Sequence, residues 1–488
     1  MRIGFVSLGC PKNLVDGEVM LGLAKGAGHE LTADASTAEV IVINTCAFID
    51  NAKEESVNAI LEMAQFKRDG SCKKLIVTGC LAERYRDQLK AEIPEIDVCL
   101  GTGEVPEIVG AIAGQPTTVP FFRSREALLS TSDGGPRLQP GPASSRAEAR
   151  DLQSSAAPSP GPAPHPGAHI TYLYGADTPR VLTTPSHFAY VKIAEGCDYT
   201  CAFCIIPTLR GKYRSREIDA VVREAEQLSA QGVKELLLIS QDTTFFGIDR
   251  GQRGALATLL RRLNDVAGLE WIRLLYLYPT TITDDVLQAM AECPKVCNYI
   301  DLPLQHASAD VLRRMRRPGN RDGYDKLLAR IRRIVPDVTL RTTFIVGFPG
   351  ETEADFEQLL DFVRDTQFDH VGVFTYSHEE GTRAFDLVDD VPAKVKKARR
   401  DTVMKLQKQI VAKRLRARKG DRVRVMVDGP SPESELVVLG RIEGQAPDID
   451  AIVYFDQGDP SALVRGTLVD ATVSGARGYD LVVVPNAD

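Results

Sequence analysis

Short apolar runs alternate with amphipathic stretches along residues 1–113. The runs predict four strands, at Ile3–Leu8, Val40–Asn44, Leu75–Thr78 and Ile96–Leu100. The stretches between them predict helices, at Asp50–Ala64 and Leu81–Leu89. Alternating strands and helices favour a parallel sheet covered by helices, and ligands bind such sheets beyond the carboxyl ends of the strands.

The same alternation returns over residues 183–392. Six strands are predicted, at Tyr190–Ala194, Glu235–Ser240, Ile272–Tyr276, Tyr299–Leu302, Thr339–Val346 and His370–Tyr376. Helical segments such as Ile218–Gln231 and Asp355–Asp365 lie between them. Six strand–helix units indicate a partial (β/α)6 barrel, open on one side, with its functional residues at the carboxyl ends of the strands.

Residues 421–488 contain only short β-rich runs separated by glycines. The runs are Arg422–Asp428, Glu435–Ile442, Ala451–Phe455, Gly466–Ser474 and Tyr479–Val484. This pattern predicts a small five-stranded barrel of the oligonucleotide-binding type. The overall class is therefore α/β with a terminal β-barrel.

A change of composition separates the first two units. Ser130–Gly167 is rich in Pro, Ala, Ser and Gly, so it cannot bury enough apolar surface to offset the entropy lost on ordering. We therefore expect an N-terminal domain at 1–115, a flexible linker at 116–182, a central domain at 183–414 and a terminal barrel at 415–488.

The composition is that of a globular protein without a membrane segment. Of 488 residues, 43% are hydrophobic, and no run of eighteen apolar residues is available to span a bilayer. The N-terminus lacks the apolar core of a signal peptide. The ten cysteines therefore predict a cytoplasmic protein with metal or redox chemistry rather than disulfides.

Charge is distributed unevenly along the chain. The net charge of −7 excludes a general nucleic-acid binder. Lys394–Lys419 is nevertheless a basic helical stretch with twelve Lys or Arg and one acid, Asp401, which indicates a solvated face or an RNA contact. Its expected packed face consists of Val395, Val403, Leu406, Ile410 and Leu415. Residues 421–488 carry five Arg against twelve Asp or Glu, which favours a basic protein as partner.

Three cysteines follow the first strand of the central unit at C-x3-C-x2-C spacing. They are Cys197, Cys201 and Cys204. Three thiolates suit a cluster of four irons in which one iron stays open to a small molecule. A zinc site usually has four ligands in two paired halves, and here the second half is missing. A chance meeting of buried cysteines is the weaker explanation, since such clustering is rare outside disulfide-rich or metal-binding chains.

Three more cysteines each follow a predicted strand of the N-terminal unit. Cys10, Cys46 and Cys80 are distant in the sequence, but one parallel sheet would bring them to the same edge. A second three-thiolate iron site is one interpretation, and ordinary half-buried cysteines are the other. Cys99 also ends a strand and competes for the site, whereas Cys72 precedes its strand.

The C-x3-C-x2-C segment, with aromatic Phe203 before its third cysteine, resembles that of the radical S-adenosylmethionine (SAM) enzymes. In that family the open iron binds the amino and carboxylate groups of SAM. The resemblance makes Phe203 and several residues near the strand ends candidate SAM contacts. The latter are Gln241, Asp242, Gln305, Arg341 and, against the adenosine, Gly347. A structural hydrogen-bonding role is the alternative for each of them.

Other polar or thiol groups of the central unit are expected to be structural. His306 could orient a substrate, but a neutral, hydrogen-bonded histidine is the preferred interpretation. Cys293 and Cys297 share the C-x3-C spacing without a third cysteine, so they are interpreted as packing residues.

The N-terminal cysteines lie in motifs similar to those of the methylthiotransferases, which are radical SAM enzymes with a second cluster. The motifs are Ser7–Asn13, Asn44–Cys46 and Thr78–Cys80. The resemblance implies that Cys10, Cys46 and Cys80 hold this second 4Fe-4S cluster, and that Cys72 and Cys99 are structural. It also identifies the terminal barrel as TRAM-like, a substrate-recognition module in that family.

Further motifs resemble the branch of the family that converts an aspartate of small-subunit ribosomal protein uS12 to 3-methylthio-aspartate. They are Gly4–Asp16, Cys204–Pro207, Ile239–Thr243, Pro303–Ser308 and Ala446–Asp450. The likeness covers nearly all of the chain except the linker. The implied partners are uS12, free or in the 30S subunit, and a reducing donor such as flavodoxin or ferredoxin. Ribosomal RNA is the implied contact of Lys394–Lys419, and no membrane contact is expected.

The implied reaction opens a C–H bond that side-chain acid–base catalysis cannot activate. By resemblance, the central cluster cleaves SAM to a 5′-deoxyadenosyl radical and the N-terminal cluster carries the sulfur. No catalytic side chain is predicted beyond the cluster ligands. The main alternative is a transfer RNA adenosine methylthiotransferase, which shares both clusters. A non-enzymatic iron–sulfur carrier would leave the central and terminal units unexplained.

Overall fold

The computed structural model describes residues 1–114, 172–457 and 459–486. Its N-terminal strands are β1 (Arg2–Ser7), β2 (Glu30–Thr32), β3 (Val40–Thr45), β4 (Lys74–Gly79) and β5 (Val98–Leu100). They form one parallel sheet in the order β2-β1-β3-β4-β5. The accompanying helices are α1 (Pro11–Gly26), α2 (Asp50–Asp69), α3 (Cys80–Glu92) and α4 (Ile108–Ala113). Every residue of β3 is buried, as is usual for a parallel strand covered on both faces.

Neither α1 nor β2 is predicted by the hydrophobic pattern. Helix α1 begins with Pro11, which suits this position because the first N–H of a helix has no partner within the helix. The helix buries polar as well as apolar side chains, among them Asn13 and Asp16. A helix that buries polar residues has no clear apolar stripe, which is the signal used to predict it.

The central unit is a partial barrel of six parallel strands, as predicted. These strands are β6 (Phe188–Lys192), β9 (Glu235–Ile239), β10 (Trp271–Leu274), β11 (Tyr299–Asp301), β12 (Thr339–Val346) and β13 (His370–Thr375). A short antiparallel pair, β7 (Ala194–Glu195) and β8 (Arg214–Ser215), follows β6. The sheets β10-β9-β6 and β11-β12-β13 adjoin where the Cys297 N–H donates to the Ile272 carbonyl at 2.9 Å.

Helices separate these strands along the chain. They are α5 (Ile206–Arg210), α6 (Ile218–Ala230), α7 (Ala255–Asn264), α8 (Asp284–Glu292), α9 (Ala309–Arg314), α10 (Arg321–Ile334) and α11 (Glu353–Thr366). The barrel core lies between them and the strands, and includes Leu236, Leu259, Leu287 and Phe344, all fully buried. The α/β class predicted from the alternation is confirmed.

The terminal unit is a closed five-stranded barrel, as predicted. Its strands are β14 (Arg422–Ser431), β15 (Ser434–Ile442), β16 (Val453–Phe455), β17 (Leu468–Arg477) and β18 (Asp480–Pro485). They close in the order β14-β15-β16-β18-β17. Its interior is filled by small β-branched and aliphatic side chains such as Val425, Val453 and Val483.

The basic stretch is one helix, α12 (Ala393–Ala417), which continues without a break across the boundary expected between residues 414 and 415. Val403 and Ile410 lie on its buried face as predicted, but Val395 is 36% exposed, so its assignment to the packed face is wrong. Lys396 and Arg399 are buried instead, because the carboxylates of Asp389 and Glu351 pair with them. No helix in the described ranges is both long and apolar enough to cross a membrane.

Buried ion pairs attach the terminal barrel to the central one. Arg441 Nη1 donates to Glu235 Oε2 at 2.6 Å, and Arg273 Nε donates to Glu235 Oε1 at 2.7 Å. Arg441 also pairs with Asp428 at 3.0 Å, and Asp428 lies 2.7 Å from the His187 ring. Removing one member would leave an uncompensated buried charge, which costs about 3–5 kcal/mol, so this contact fixes the terminal barrel in place.

The last part of the predicted linker is packed rather than flexible. Tyr174 is buried, and Arg180 pairs with Glu18 of α1 and, at 2.8 Å, with Glu224 of α6. The Val181 N–H donates to the Glu18 carbonyl at 3.0 Å. The expectation of flexibility is therefore wrong for residues 172–182, because two buried carboxylates bind this segment. The rest of the predicted linker lies outside the described residues.

Candidate functional site

Cys10, Cys46 and Cys80 meet at one edge of the N-terminal sheet. Cys10 follows β1 and precedes α1, Cys46 follows β3, and Cys80 is the first residue of α3 after β4. Gly9 permits the approach: its φ is +91°, and a Cβ there would lie 2.7 Å from the Cβ of Cys46. The prediction that one sheet edge collects three thiols is therefore met by the structure.

Side-chain amides and hydroxyls hold the three turns together. Asn13 Nδ2 donates to the Leu8 carbonyl at 2.7 Å, and Asn44 Nδ2 donates to the Asn13 carbonyl at 2.6 Å. The Ser56 hydroxyl accepts from the Cys46 N–H at 3.0 Å and donates to its carbonyl at 2.9 Å. These bonds satisfy buried backbone groups and fix the backbone from which the sulfur atoms project.

The chemistry of this donor set fits an iron–sulfur cluster. Burial raises the pKa of Cys80 to about 12, and burial and the nearby Cys10 raise the pKa of Cys46. Such thiols become thiolates when a metal binds them. Within the described ranges, no three His, Cys, Asp or Glu side chains are close enough to hold a single ion. Three cysteines at one sheet edge are the donor set that a four-iron cluster with one open iron takes.

Cys197, Cys201 and Cys204 occupy one loop between β7 and α5. Gly196 starts the loop with φ +87°, and a Cβ there would clash with the Lys212 carbonyl at 2.0 Å. The Cys197 N–H donates to the Gly211 carbonyl, and the Cys204 N–H donates to the Cys201 carbonyl at 3.2 Å. The loop is thus folded on itself, with all three sulfur atoms at the carboxyl-end rim of the barrel.

Burial acts on this second trio as it does on the first. It raises the pKa of Cys197 to about 12 and also raises the pKa of Cys204. Arg317 approaches the same loop, with its Nη1 3.8 Å from the Cys201 sulfur and its guanidinium 4.1 Å from the centre of the Tyr278 ring. The positive charge of Arg317 opposes the effect of burial on the pKa of Cys204.

Arg210 connects the two cysteine sites. It ends helix α5, which begins two residues after Cys204, and its Nη2 lies 3.7 Å from the Cys80 sulfur. Its Nη1 donates to Asp16 at 2.9 Å and to Glu195 at 3.0 Å. Lys192 pairs with the same two carboxylates, so two cations and two anions balance within the domain interface. Helix α5, which follows the Cys197–Cys204 loop, is thereby held beside Cys80 of the N-terminal trio.

Two of the predicted SAM contacts retain a free acceptor. Gln241 Nε2 donates to Glu195 at 2.6 Å, but its Oε1 is buried without a hydrogen-bond partner in the described chain. Gln305 follows β11 with φ +72°, and its Oε1 is likewise buried and unpaired. Because buried acceptors are rarely left unsatisfied, both oxygens point to a missing donor.

Other predicted SAM contacts already have partners within the chain. Asp242 is buried and accepts hydrogen bonds from Tyr199, Thr281 and Thr244. Arg341 pairs with Asp301 at 2.8 Å and with Asp450 of the terminal barrel at 3.2 Å. These partners give Asp242 and Arg341 the structural roles that the sequence left as an alternative.

Gly347, Phe203 and His306 also have local explanations. A Cβ on Gly347 would meet the Lys396 side chain at 2.3 Å, so packing against α12 is a local reason for glycine at this position. Phe203 is half-buried and packs beside Ala202, Val311, Met315 and Phe348. His306 Nδ1 accepts from the Ser308 N–H at 3.0 Å, and burial lowers its pKa to about 3. Both observations agree with a neutral, hydrogen-bonded histidine.

The remaining cysteines lie away from the two trios. Cys72, Cys99, Cys293 and Cys297 are buried in apolar clusters. Cys99 lies within β5, opposite Val77 of β4, so it does not reach the rim. The interpretation of these four as packing residues agrees with their positions.

Sequence reasoning missed four charged residues near the cysteines. Lys192, Glu195 and Arg210 lie at the domain interface, and Arg317 lies beside the Cys197–Cys204 loop within the central unit. For Lys192, Glu195 and Arg210, the only signal is that they lie near the cysteine loop in the sequence. Arg317 gives no such signal, because it reaches the loop from the segment after α9. Contacts between distant segments cannot be read from periodicity.

Comparisons with known proteins agree with this geometry. Residues 2–101 match an uncharacterized protein family, UPF0004, residues 191–363 match the radical SAM superfamily, and residues 420–485 match the TRAM domain. The radical SAM methyltransferase TsrM from Kitasatospora setae, solved with cobalamin and a [4Fe-4S] cluster, has a similar structure. Its TM-score is 0.52 at 15% identity, over 77% of this chain and 72% of TsrM, so it shows the fold alone.

Curated relatives cover almost the whole chain. The ribosomal protein uS12 methylthiotransferase RimO of Koribacter versatilis is 47% identical over 99% of this chain and 95% of that relative. The RimO protein of Symbiobacterium thermophilum is 45% identical over 99% of this chain and 90% of its own length. The chain therefore belongs to the ribosomal protein uS12 methylthiotransferase family.

Proposed function

We propose that this protein transfers a methylthio group to the β-carbon of an aspartate in ribosomal protein uS12. One observation carries the proposal: Arg210 follows the Cys197–Cys204 loop directly and also contacts Cys80, so two three-cysteine sites share one interface. A sulfur-transfer enzyme of this kind needs both sites to reach the same substrate atom. The relatives named above support this substrate.

The six cysteines are the proposed cluster ligands. When bound, the cluster on Cys197, Cys201 and Cys204 supplies radical chemistry with SAM, and the cluster on the other trio supplies the sulfur. Gln241 and Gln305 would accept hydrogen bonds from the amino group and a ribose hydroxyl of SAM, since each has a buried oxygen without a partner among the described residues.

The charge of the terminal barrel supports a protein substrate. Over residues 421–488 the twelve acids outnumber the five arginines, and Glu433, Glu435, Asp456 and Asp459 are exposed. Exposed acidic groups attract a basic ribosomal protein and repel a phosphate backbone. This charge argues against the transfer RNA alternative. The free cysteines support a reducing, cytoplasmic location, and a donor such as flavodoxin or ferredoxin is the proposed electron source.

The function is tested by mass spectrometry of uS12 from cells with and without this gene. We expect uS12 from the deletion strain to lack one methylthio group on an aspartate, and a plasmid copy of the gene to restore it. Transfer RNA from the same cells serves as the matched comparison. Loss of a methylthio group from adenosine instead, with uS12 unchanged, would replace this proposal with the alternative.

Helix α12 offers a surface for ribosomal RNA. Five cations of this helix are exposed and have no carboxylate partner in the described chain. Their spacing along the sequence places them on one face of the helix; they are Lys394, Lys397, Lys405, Lys408 and Arg416. We name this set the basic stripe. The basic stripe lies opposite the buried face of the helix. The whole helix is about 37 Å long at 1.5 Å per residue. Asp401 interrupts the stripe and pairs with Arg400 at 2.9 Å.

Replacing Lys405 and Lys408 together with Glu should weaken binding to the 30S subunit. If each lysine neutralises one phosphate, the slope of log affinity against log salt should fall by about two. Titration of the subunit at several salt concentrations measures the slope. Lys326→Glu, an exposed lysine on α10, is the control. An unchanged slope in the double variant would show that the basic stripe only faces solvent.

A further inference from the structure

Lys12 is a buried cation without a counter-ion. It lies in the first turn of α1, two residues after Cys10, and is only 8% exposed. Its Nζ lies 3.0 Å from the centre of the Tyr276 ring. No carboxylate or hydrogen-bond acceptor of the described chain pairs with that nitrogen. The other buried lysines differ: Lys192 pairs with two carboxylates, and Lys396 pairs with Asp389 at 2.7 Å.

The position of Tyr276 is enforced by the barrel. It follows β10 with φ +61°, a conformation that non-glycine residues rarely adopt. Its N–H donates to Asp301 Oδ2 at 3.0 Å, and its carbonyl accepts from the Thr243 N–H at 3.0 Å. Strained backbone of this kind persists only where the surroundings determine it, and it is common at functional sites. The ring is thereby held against Lys12, between the N-terminal trio and the barrel rim.

Glu195 and Asp301 are the carboxylates whose charge acts on Lys12, and other groups already occupy both. Glu195 pairs with Lys192 and with Arg210 and accepts from Gln241 at 2.6 Å. Asp301 Oδ1 accepts from Arg341 Nη1 at 2.8 Å, and its Oδ2 accepts from the Tyr276 N–H. Arg341 in turn contacts Asp450 of the terminal barrel at 3.2 Å. Aromatic contact alone compensates a desolvated ammonium poorly, so the site is electrostatically incomplete. The Cys10 thiolate of the loaded cluster would supply part of the missing negative charge, and the carboxylate of a bound substrate would supply the rest.

We propose that Lys12 binds the carboxylate of the substrate aspartate and thereby selects an acidic target residue. The inference rests on the proposed function and names the group that recognises the modified side chain. The β-carbon of aspartate is bonded directly to its carboxylate carbon. A cation two residues from Cys10 therefore holds the β-carbon beside the N-terminal trio, where the sulfur is to be delivered. A substrate with a neutral side chain would leave the ammonium unpaired.

The test compares uS12 carrying its target aspartate with uS12 carrying asparagine there, which has the same shape without the charge. Binding to the iron-loaded full chain is measured anaerobically by calorimetry. We expect the aspartate form to bind about tenfold more tightly, and Lys12→Met to lose this preference. Lys25→Met, an exposed lysine farther along α1, should keep it. The iron content of each variant is measured in parallel.

The outcomes separate this inference from the proposed function. If the unaltered chain binds both forms of uS12 equally, Lys12 does not recognise the carboxylate of the target aspartate. In that case uS12 remains the substrate. If Lys12→Met loses iron but still prefers aspartate, the lysine serves the cluster instead. If neither form of uS12 binds, the proposed function itself is overturned. The comparison of the two uS12 forms on the unaltered chain needs no variant, so a folding defect cannot obscure it.

Discussion

Cys201→Ala is expected to abolish formation of 5′-deoxyadenosine from SAM. Alanine has no metal ligand, and Cys201 is the middle sulfur of the C-x3-C-x2-C loop, with Arg317 3.8 Å away. With two thiolates left, the cluster that reduces SAM would not be retained. Iron should fall from about eight to about four atoms per chain, since each cluster holds four. Chromatography of anaerobic, dithionite-reduced reactions measures the nucleoside product.

The control for this variant is Cys293→Ala. Cys293 is also in the central unit and is buried, but it packs among aliphatic side chains at the end of α8. Its removal should leave iron content and 5′-deoxyadenosine formation intact. If Cys201→Ala still forms 5′-deoxyadenosine, the Cys197–Cys204 loop is not the site of SAM cleavage.

Cys46→Ala is expected to stop methylthio transfer to uS12 while 5′-deoxyadenosine still forms. Cys46 follows β3, and its backbone is fixed by two hydrogen bonds to Ser56 at 3.0 and 2.9 Å. The Cys197–Cys204 loop lies on a separate element and keeps its three sulfur atoms in this variant. Iron should again fall to about four atoms per chain. Mass spectrometry of uS12 and chromatography of the nucleoside report the two steps separately.

Cys72→Ala provides the matched control in the same domain. The Cys72 thiol donates to the Lys74 carbonyl at 3.2 Å and lies at the opposite end of the sheet from the trio. This variant should retain both iron clusters and methylthio transfer. Normal product from Cys46→Ala would mean that the N-terminal cysteines do not deliver the sulfur.

The sequence predicts the strand framework because parallel strands are buried on both faces. Each of Val40–Thr45 is buried, and its first four residues, Val40–Ile43, form an uninterrupted apolar run that is easily recognised. The position of the cysteines follows from the same framework, since a residue after a parallel strand lies at a known edge. Cys10, Cys46 and Cys80 could therefore be placed together before any contact was known.

Contacts of individual polar side chains could not be predicted in this way. Asp242 was a reasonable SAM contact by position, but Tyr199 and Thr281 occupy its oxygens. Arg341 was equally well placed, yet Asp450 reaches it from more than a hundred residues away. The sequence cannot show whether an Asp or Arg side chain is free to bind a ligand or already has a partner in the protein. The difference depends on which distant segment of the chain folds beside that side chain.

The buried ion pair between Glu235 and Arg441 affects which substrates the protein can select. Glu235 and Arg441 lock the terminal barrel to the central one, and Arg210 joins the central unit to Asp16 of α1, the helix that carries Lys12. The separation between the acidic outer surface and Lys12 is therefore constant. A substrate that touches both must present its aspartate at a matching distance from its own basic surface. Selection would then depend on the tertiary structure of the ribosomal protein, and a short peptide with the same target residue would be a poor substitute.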